Sequence, residues 1–153
     1  MNKIEIYALL VIVFAIGLIL FFYNKPETAV HSFVKSIETY NFDSLKQITA
    51  DKILSDITNS ERIYKEECKE NESELDLCNV KIITIVIFNT SYENQNEAIV
   101  LGNITIIYKS GKTVDSFSDF KLRLYDGKWK IYDIVDRNRI PTRAYGVIER
   151  VGN

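Results

Sequence analysis

The stretch LYDGKWKIYDI, residues 124 to 134, decides the fold of this chain. Its Asp126-Gly127 dipeptide favours a two-residue hairpin turn, because both turn positions need a positive φ that these residue types tolerate. Apolar and polar residues alternate on either side of the dipeptide, which is the pattern of a half-buried strand. We therefore predict a hairpin of two antiparallel strands. The first of them ends with residues 120–125, and the second runs over 128–135.

The length of the turn also predicts which residues of the hairpin face each other. A two-residue turn places Tyr125 opposite Lys128 and Leu124 opposite Trp129, so the large apolar side chains meet on one side. Strict alternation along the fourth strand predicts that four of its residues share one face: Trp129, Ile131, Asp133 and Val135.

Two earlier strands are predicted at 81–88 and 97–109, where the apolar residues follow a strand period. A polar connection, 89–96, separates them, and Gly102 is expected to mark a bulge or a bend. A turn at 110–111 leads into the third strand. The four strands follow one another along the chain and are therefore predicted to form an antiparallel meander.

Helices precede the sheet. Asn24 is the predicted cap of the first helix, with Pro26 in its first turn. Leu45 and Ile48 indicate a short second helix, and Asp51 is the predicted cap of a third. Helices followed by a meander define an α+β domain whose helices cover one face of the sheet. The apolar stripe of the first helix contains Ala29, Val30, Phe33, Val34, Ile37 and Tyr40.

Both faces of the first two predicted strands are apolar, but one layer of helices covers only one face of a sheet. The second face needs cover from sheet curvature, from a partner chain or from the C-terminal tail. An exposed apolar sheet face is a surface for association. We therefore expect protein partners or a homo-oligomer.

The chain begins with a segment of a different kind. Residues Ile6 to Tyr23 carry no charge, and as a helix they would measure about 27 Å, close to the hydrocarbon thickness of a bilayer. We predict an uncleaved transmembrane helix with a short cytoplasmic tail, residues 1–25. The alternative is a cleaved signal peptide, but six further apolar residues follow the nearest small-residue site, Ala15-Ile16-Gly17.

The orientation of this anchor follows from its flanks, although Lys3 and Lys25 nearly balance in charge. Short basic tails usually stay in the cytoplasm. We therefore expect a single-pass protein of the cell membrane whose C-terminal domain lies outside the cytoplasm.

Two features agree with that location. Cys68 and Cys78 are the only cysteines, and a disulfide between them would persist outside the cytoplasm. Three N-glycosylation sequons begin at Asn71, Asn89 and Asn103. Asn103 is expected within a strand, so the predicted loop positions Asn71 and Asn89 are the better acceptors.

Composition weighs against several classes of function. A net charge of -2 leaves no basic excess to neutralise phosphates, so no nucleic acid partner is expected. One histidine and two paired cysteines supply too few ligands for zinc. No Gly-rich phosphate loop and no nucleophile–base motif is present in the sequence, so we expect neither a cofactor nor an enzyme.

The order of motifs, AVHSFVKSIETYNFDSLKQITADKI, four strands and a closing DGKWKIYDI, resembles the nuclear transport factor two-like fold. The resemblance implies a cone-shaped α+β domain over 26–136, with a curved sheet wrapped around a long first helix, and a C-terminal extension, 137–153. The cystatin-type fold is the near alternative. Single-anchor, outward-facing domains of this type resemble assembly factors of type IV secretion and conjugation machines.

Enzymes of this fold place a carboxylate, and often His or Tyr, in the pocket of the cone. For Asp133 the alternative to a buried acid is a position at a bulge, paired with Lys or Arg. The residues that are candidates for lining a pocket are His31, Tyr40, Tyr108 and Asp133.

Three functions are compatible with these features. The first is a non-enzymatic subunit or assembly factor of a membrane protein complex. The second is a tethered domain that binds a small apolar ligand in the pocket. The third and least favoured is an enzyme of the same fold.

Overall fold

A computed structural model describes residues 11–15, 24–68 and 76–137. Three helices, α1 (Pro26–Glu38), α2 (Phe42–Ile48) and α3 (Asp51–Glu67), precede a 3₁₀ turn at Asp76–Asn79. Four strands follow: β1 (Val80–Asn94), β2 (Glu97–Tyr108), β3 (Thr113–Tyr125) and β4 (Lys128–Asp136). They form one antiparallel sheet in the order β1-β2-β3-β4. The predicted α+β class with a four-stranded meander is therefore confirmed.

The predicted transmembrane anchor, 6–23, lies outside the described residues except at 11–15, which are helical and exposed. Within the described ranges, no helix combines the length and the apolar character needed to cross a bilayer. The anchor therefore stays a prediction from the sequence.

The helices cover one face of the sheet, as predicted, and the core lies between the two layers. α1 packs across the sheet and α3 packs along β4. Phe33 of α1 meets Phe120 of β3 edge to face, with ring centroids 6.2 Å apart. The largest fully buried apolar side chains are Phe33, Phe120, Leu45, Ile57, Leu122 and Ile131.

The hairpin has the predicted geometry. Asp126 and Gly127 have φ values of 49° and 75°, as a two-residue turn with two positive φ angles requires. Leu124 pairs with Trp129, so the predicted register at the turn is confirmed.

Further along β4, the register shifts by one residue. Leu122 pairs with Ile131, but Lys121 pairs with Asp133, which leaves Tyr132 as an extra residue on β4. Such a β-bulge moves every later side chain to the opposite face, because side chains in a strand alternate with a period of two.

The prediction that Asp133 and Val135 share a face with Trp129 is therefore wrong. Both residues lie on the face away from the helices, while Ile134 pairs with Phe120 and packs against the core. The sign of the shift in the sequence is Asp133, whose charge suits a bulge position paired with Lys or Arg better than the core-facing position that strict alternation gives it.

The strand β1 is longer than predicted. Residues 89–96 were expected as a polar connection, but the strand continues to Asn94 and only Gln95 and Asn96 form the turn. β1 is an edge strand whose last residues are mostly exposed. Polar side chains are therefore accommodated in it, and they protect an edge from aggregation.

A second bulge lies in β1, opposite the glycine at which one was predicted. The register shifts between Ile87 and Asn89 across from Gly102, which leaves Phe88 as the extra residue. A Cβ atom on Gly102 would come within 2.9 Å of Ile85 Cδ1. The glycine therefore allows close packing of Ile85 rather than forming the bulge itself.

Two predicted helix caps have other roles. The cap position of α1 is Lys25, and the Asn24 Nδ2 instead donates a hydrogen bond of 2.9 Å to the Gly127 carbonyl oxygen. Asp51 is the first residue of α3, and its Oδ2 accepts a hydrogen bond of 2.8 Å from the Tyr125 hydroxyl. Both bonds attach the start of a helix to the β3–β4 hairpin.

The disulfide between Cys68 and Cys78 is confirmed, with Cα atoms 5.3 Å apart. It joins the end of α3 to the turn that leads into β1. One helical turn before Cys68, Tyr64 stacks on Tyr40 at 4.6 Å, and the Tyr40 hydroxyl donates to the Val80 carbonyl oxygen at 3.2 Å. The crosslink therefore fixes the last turn of α3 beside a cluster of aromatic rings.

Replacement of both cysteines, Cys68→Ser with Cys78→Ser, is expected to lower the free energy of unfolding by about 3 kcal/mol, because the crosslink no longer restricts the unfolded chain. Chemical denaturation in detergent, followed by circular dichroism, measures the change. Addition of a thiol reductant is the control, since it should destabilise the unmodified protein and leave the double variant unchanged. Equal stability of the two oxidised proteins would contradict the expected role of the disulfide.

Candidate functional site

The face of the sheet turned away from the helices, which we call the outer face, carries exposed apolar side chains. Four of them form what we name the outer patch: Val86, Phe88, Phe117 and Val135, with exposed fractions of 58%, 56%, 41% and 39%. The rings of Phe88 and Phe117 stack with centroids 5.6 Å apart. Large apolar side chains are thus presented together on the side that the helices leave uncovered.

The pairing register of the sheet shows which strands contribute residues to the outer patch. Asn103 of β2 pairs with Val86 on one side and with Phe117 on the other, so the three residues form one row across the sheet. The bulge at Tyr132 turns Val135 to the same face. Three of the four strands therefore contribute to the outer patch, and only β2 contributes a polar residue to this row.

Ion pairs lie beside the outer patch, toward the β3–β4 turn. Three pairs occupy the outer face: Lys121–Asp133 at 2.9 Å, Arg123–Glu97 at 2.8 Å and Arg137–Asp119 at 2.7 Å. The hydrogen bond to Asp133 raises the pKa of Lys121. Exposed pairs of this kind add little to stability. The outer face therefore combines an apolar patch with a row of ion pairs on one side of it.

Two acceptors on the outer face lack a donor. Asn103 Oδ1 and Asp119 Oδ1 are buried without a hydrogen-bond partner. Both lie close to Phe117, because Asn103 pairs with it and Asp119 is the next outward residue of β3. Buried acceptors are nearly always paired in folded proteins, and an unpaired one costs free energy. These two oxygens therefore carry an unfavourable desolvation cost within the sheet, next to Phe117.

The four predicted pocket residues do not meet in one place. His31 is exposed on α1, whereas Asp133 lies on the outer face beside the bulge and is paired with Lys121. Tyr40 and Tyr108 are brought together, since the first donates to the Val80 carbonyl and the second pairs with Val80 across the sheet. For Asp133, the structure therefore has the bulge and ion pair rather than a buried acid.

Small polar residues occupy part of the helix-facing side of the sheet. Gly102 pairs with Ser118, and Ser116 lies two residues earlier on the same face of β3. Both serines are buried, and Ser116 Oγ donates to Asp136 Oδ1 at 3.1 Å. These residues form a small polar floor, a term we use for Gly102, Ser116 and Ser118, within an otherwise apolar layer.

The sequons occupy different environments. Asn71 lies outside the described residues. Asn89 is exposed, although it lies in β1 rather than in the predicted loop, and Asn103 lies in β2 as predicted and is half-buried. In the part of the chain that the structure describes, no three His, Cys, Asp or Glu side chains lie close enough together to hold a metal ion.

The prediction from sequence missed Phe117 as an outer-face residue. In the first half of β3, the usual placement of apolar side chains inside and polar ones outside is reversed. Ser116 and Ser118 point to the core, and Phe117 points outward. The signal was available in the period of two, counted back from the buried Phe120. The serines at the core-facing positions obscure this period, because they interrupt the apolar alternation of the strand.

Two carboxyl groups of α3 have pKa values shifted in opposite directions. Burial raises the pKa of Asp56, and this effect outweighs the nearby Lys52. Hydrogen bonds from Lys46 and Lys65 lower the pKa of Glu61. Shifted carboxyls occur at active sites and also in structural ion pairs. Glu61 belongs to the second kind, since it connects α2 to α3 through Lys46.

Comparisons with solved structures support the fold. RPA3114, a SEC-C motif containing protein from Rhodopseudomonas palustris, aligns with a TM-score of 0.55 and 13% identity, over 73% of this chain and 78% of its own. A protein designated Rd1NTF2_05, with five substitutions, aligns with a TM-score of 0.54 and 11% identity, over 72% of this chain and 94% of its own. An NTF-2 like protein of unknown function from Shewanella oneidensis MR-1 aligns with a TM-score of 0.51 and 12% identity, over 69% of this chain and 94% of its own.

These similarities concern the fold alone, because the sequence identities are low. They support the NTF2-like architecture that the order of motifs indicated. No protein-family model matches the sequence, and a search of curated proteins returned no match.

The two shifted carboxyls predict opposite effects of pH on stability. The folded-state pKa of Asp56 lies above its ordinary value of 3.8, so its ionisation destabilises the fold as pH rises. Asp56→Asn is therefore expected to raise the free energy of unfolding at pH 7, with the gain disappearing below that ordinary value.

Glu61→Gln is the matched variant on the same helix. The pKa of Glu61 is lowered from 4.5, so its ionised form stabilises the fold above that pH and this stabilisation is lost as pH falls through the folded pKa. The variant is expected to be less stable at pH 7, with the difference vanishing in acid. Denaturation of both variants from pH 7 down to acid pH measures the changes in the free energy of unfolding. A change of the same sign at pH 7 in both variants would contradict the opposite pKa shifts of Asp56 and Glu61.

Proposed function

We propose that this protein is a non-enzymatic, membrane-tethered domain that lies outside the cytoplasm and acts as a subunit or assembly factor of a membrane protein complex. The outer patch is the observation that carries the proposal. Its four exposed apolar side chains lie on a sheet whose other face is already covered by helices. Exposed apolar surface with a polar rim is typical of protein interaction sites.

A protein partner fits this face better than a small molecule does. Small-molecule sites are concave and enclose most of their ligand, whereas the outer patch lies on the open face of a sheet. The stacked rings of Phe88 and Phe117 provide the kind of aromatic anchor that dominates protein interfaces.

The location is supported by two features of the chain. The uncharged segment from Ile6 to Tyr23 has the length and composition of a membrane anchor. The disulfide between Cys68 and Cys78 is of a kind that persists outside the cytoplasm. Both favour a domain held at the outer side of the membrane.

A second candidate function is binding of a small ligand on the helix-facing side. The observation that favours it is the small polar floor formed by Gly102, Ser116 and Ser118. An enzyme of the same fold is supported least, because His31 and Asp133 lie in different layers and share no site.

Site-specific photocrosslinking in native membranes tests the interaction. A benzophenone amino acid in place of Phe88 is expected to give one discrete adduct with a protein, because the outer patch is covered in the assembled complex. The same probe in place of His31, which is exposed on α1, is the matched control and should give none. Adduct mass and peptide sequencing distinguish a second copy of this chain from a different subunit.

A second variant makes the result specific to the patch. Phe117→Asp places a charge beside the stacked Phe88 ring and is expected to abolish the adduct while leaving the circular dichroism spectrum unchanged. Equal adducts from both probe positions, or an adduct that survives the charge, would contradict the proposal. A monomer that carries a small-molecule mass in native mass spectrometry would favour the second candidate.

A further inference from the structure

The two ends of the sheet differ in their connection to the predicted membrane anchor. The first described residue after the uncharged segment is Asn24, whose Nδ2 donates to the Gly127 carbonyl oxygen at 2.9 Å. Gly127 is in the tip of the β3–β4 hairpin. The point at which the chain leaves the predicted anchor is therefore in direct contact with this hairpin tip.

The second hairpin turn is at the same end of the sheet. The Leu124 N–H, close to the β3–β4 turn, donates to the Asn96 carbonyl in the β1–β2 turn at 2.9 Å. Tyr92, which is 58% exposed, contacts Trp129 with ring centroids 6.1 Å apart. Trp129 is buried, so Tyr92 is the ring of this pair that is exposed at the hairpin end, and Tyr is one of the residues enriched at the membrane interface.

The disulfide is at the other end. The Lys109 N–H donates to the Asn79 carbonyl at 2.7 Å, and Lys109 Nζ donates to the Cys78 carbonyl at 3.0 Å. These bonds place the β2–β3 turn against the disulfide. β3 runs between the two ends from Thr113 to Tyr125, a length of about 40 Å at the usual strand rise.

We propose that the membrane is the partner of the hairpin end, and that the strands point away from the bilayer. The hairpin tips then face the lipid surface, while the disulfide and the β2–β3 turn lie farthest from it. This inference rests on the proposed tether. It adds an orientation to the tether. A tether alone does not specify how the domain is oriented, because a long linker between anchor and domain would let the domain take any orientation.

The orientation restricts the partner of the outer patch. With upright strands, the outer face of the sheet points along the membrane plane rather than away from it. Phe117 lies eight residues from Tyr125 on β3, so it would be about 25 Å from the hairpin end. The partner is then a protein that stands beside the domain at the same membrane, such as another tethered subunit.

Energy transfer in liposomes tests the orientation with the full chain. Lys128→Cys, next to the hairpin tip, and Lys112→Cys, in the β2–β3 turn, each replace one exposed lysine and are labelled with the same donor dye. The native cysteines are paired in the disulfide and do not react. Acceptor lipids are included in the bilayer, and flotation separates bound from unbound protein.

Transfer from position 128 is expected to exceed transfer from position 112 by at least about twofold, because the strand between them is about 40 Å long. Equal or reversed transfer in protein that floats with the liposomes would overturn the orientation and leave the tether intact. Protein that does not float would overturn the tether and the orientation with it.

Discussion

The pairing of β3 with β4 determines which side chains of this protein are covered and which are left for other molecules. The Asp126–Gly127 turn sets the first pairs, with Leu124 opposite Trp129. The bulge at Tyr132 then shifts the alternation by one residue, so that the rest of β4 changes face. This one-residue shift turns Ile134 into the core and presents the following valine on the outer face.

Among the residues that the structure describes, a single layer of helices covers one face of the four-stranded sheet and no element covers the other, and this has two consequences. The helix-facing side is filled by large apolar side chains such as Phe33 and Phe120, which gives the domain its core. The outer face retains exposed apolar surface beside a row of ion pairs. The core and the exposed apolar side chains therefore lie on opposite faces of the same strands, and a change on one face need not disturb the other.

The parts of the fold that depend on local chemistry were predictable from the sequence. The Asp-Gly turn, the helical stripe of α1 and the pairing of Cys68 with Cys78 all have specific residue signals. The bulges at Phe88 and Tyr132 have only indirect signals, Gly102 opposite the first and Asp133 beside the second, and neither signal identifies the extra residue. The extension of β1 through NTSYEN was missed for a different reason: an exposed edge strand tolerates the polar residues that usually indicate a loop.

The proposed function depends most on where the folded domain lies. Ser110, exposed in the β2–β3 turn, can be replaced in the full chain by Ser110→Cys and treated with a membrane-impermeant maleimide on intact cells. The unmodified protein, whose cysteines are paired, is the background control. A tethered domain outside the cytoplasm predicts as much labelling of intact cells as of permeabilised ones. Labelling that appears only after permeabilisation would contradict it.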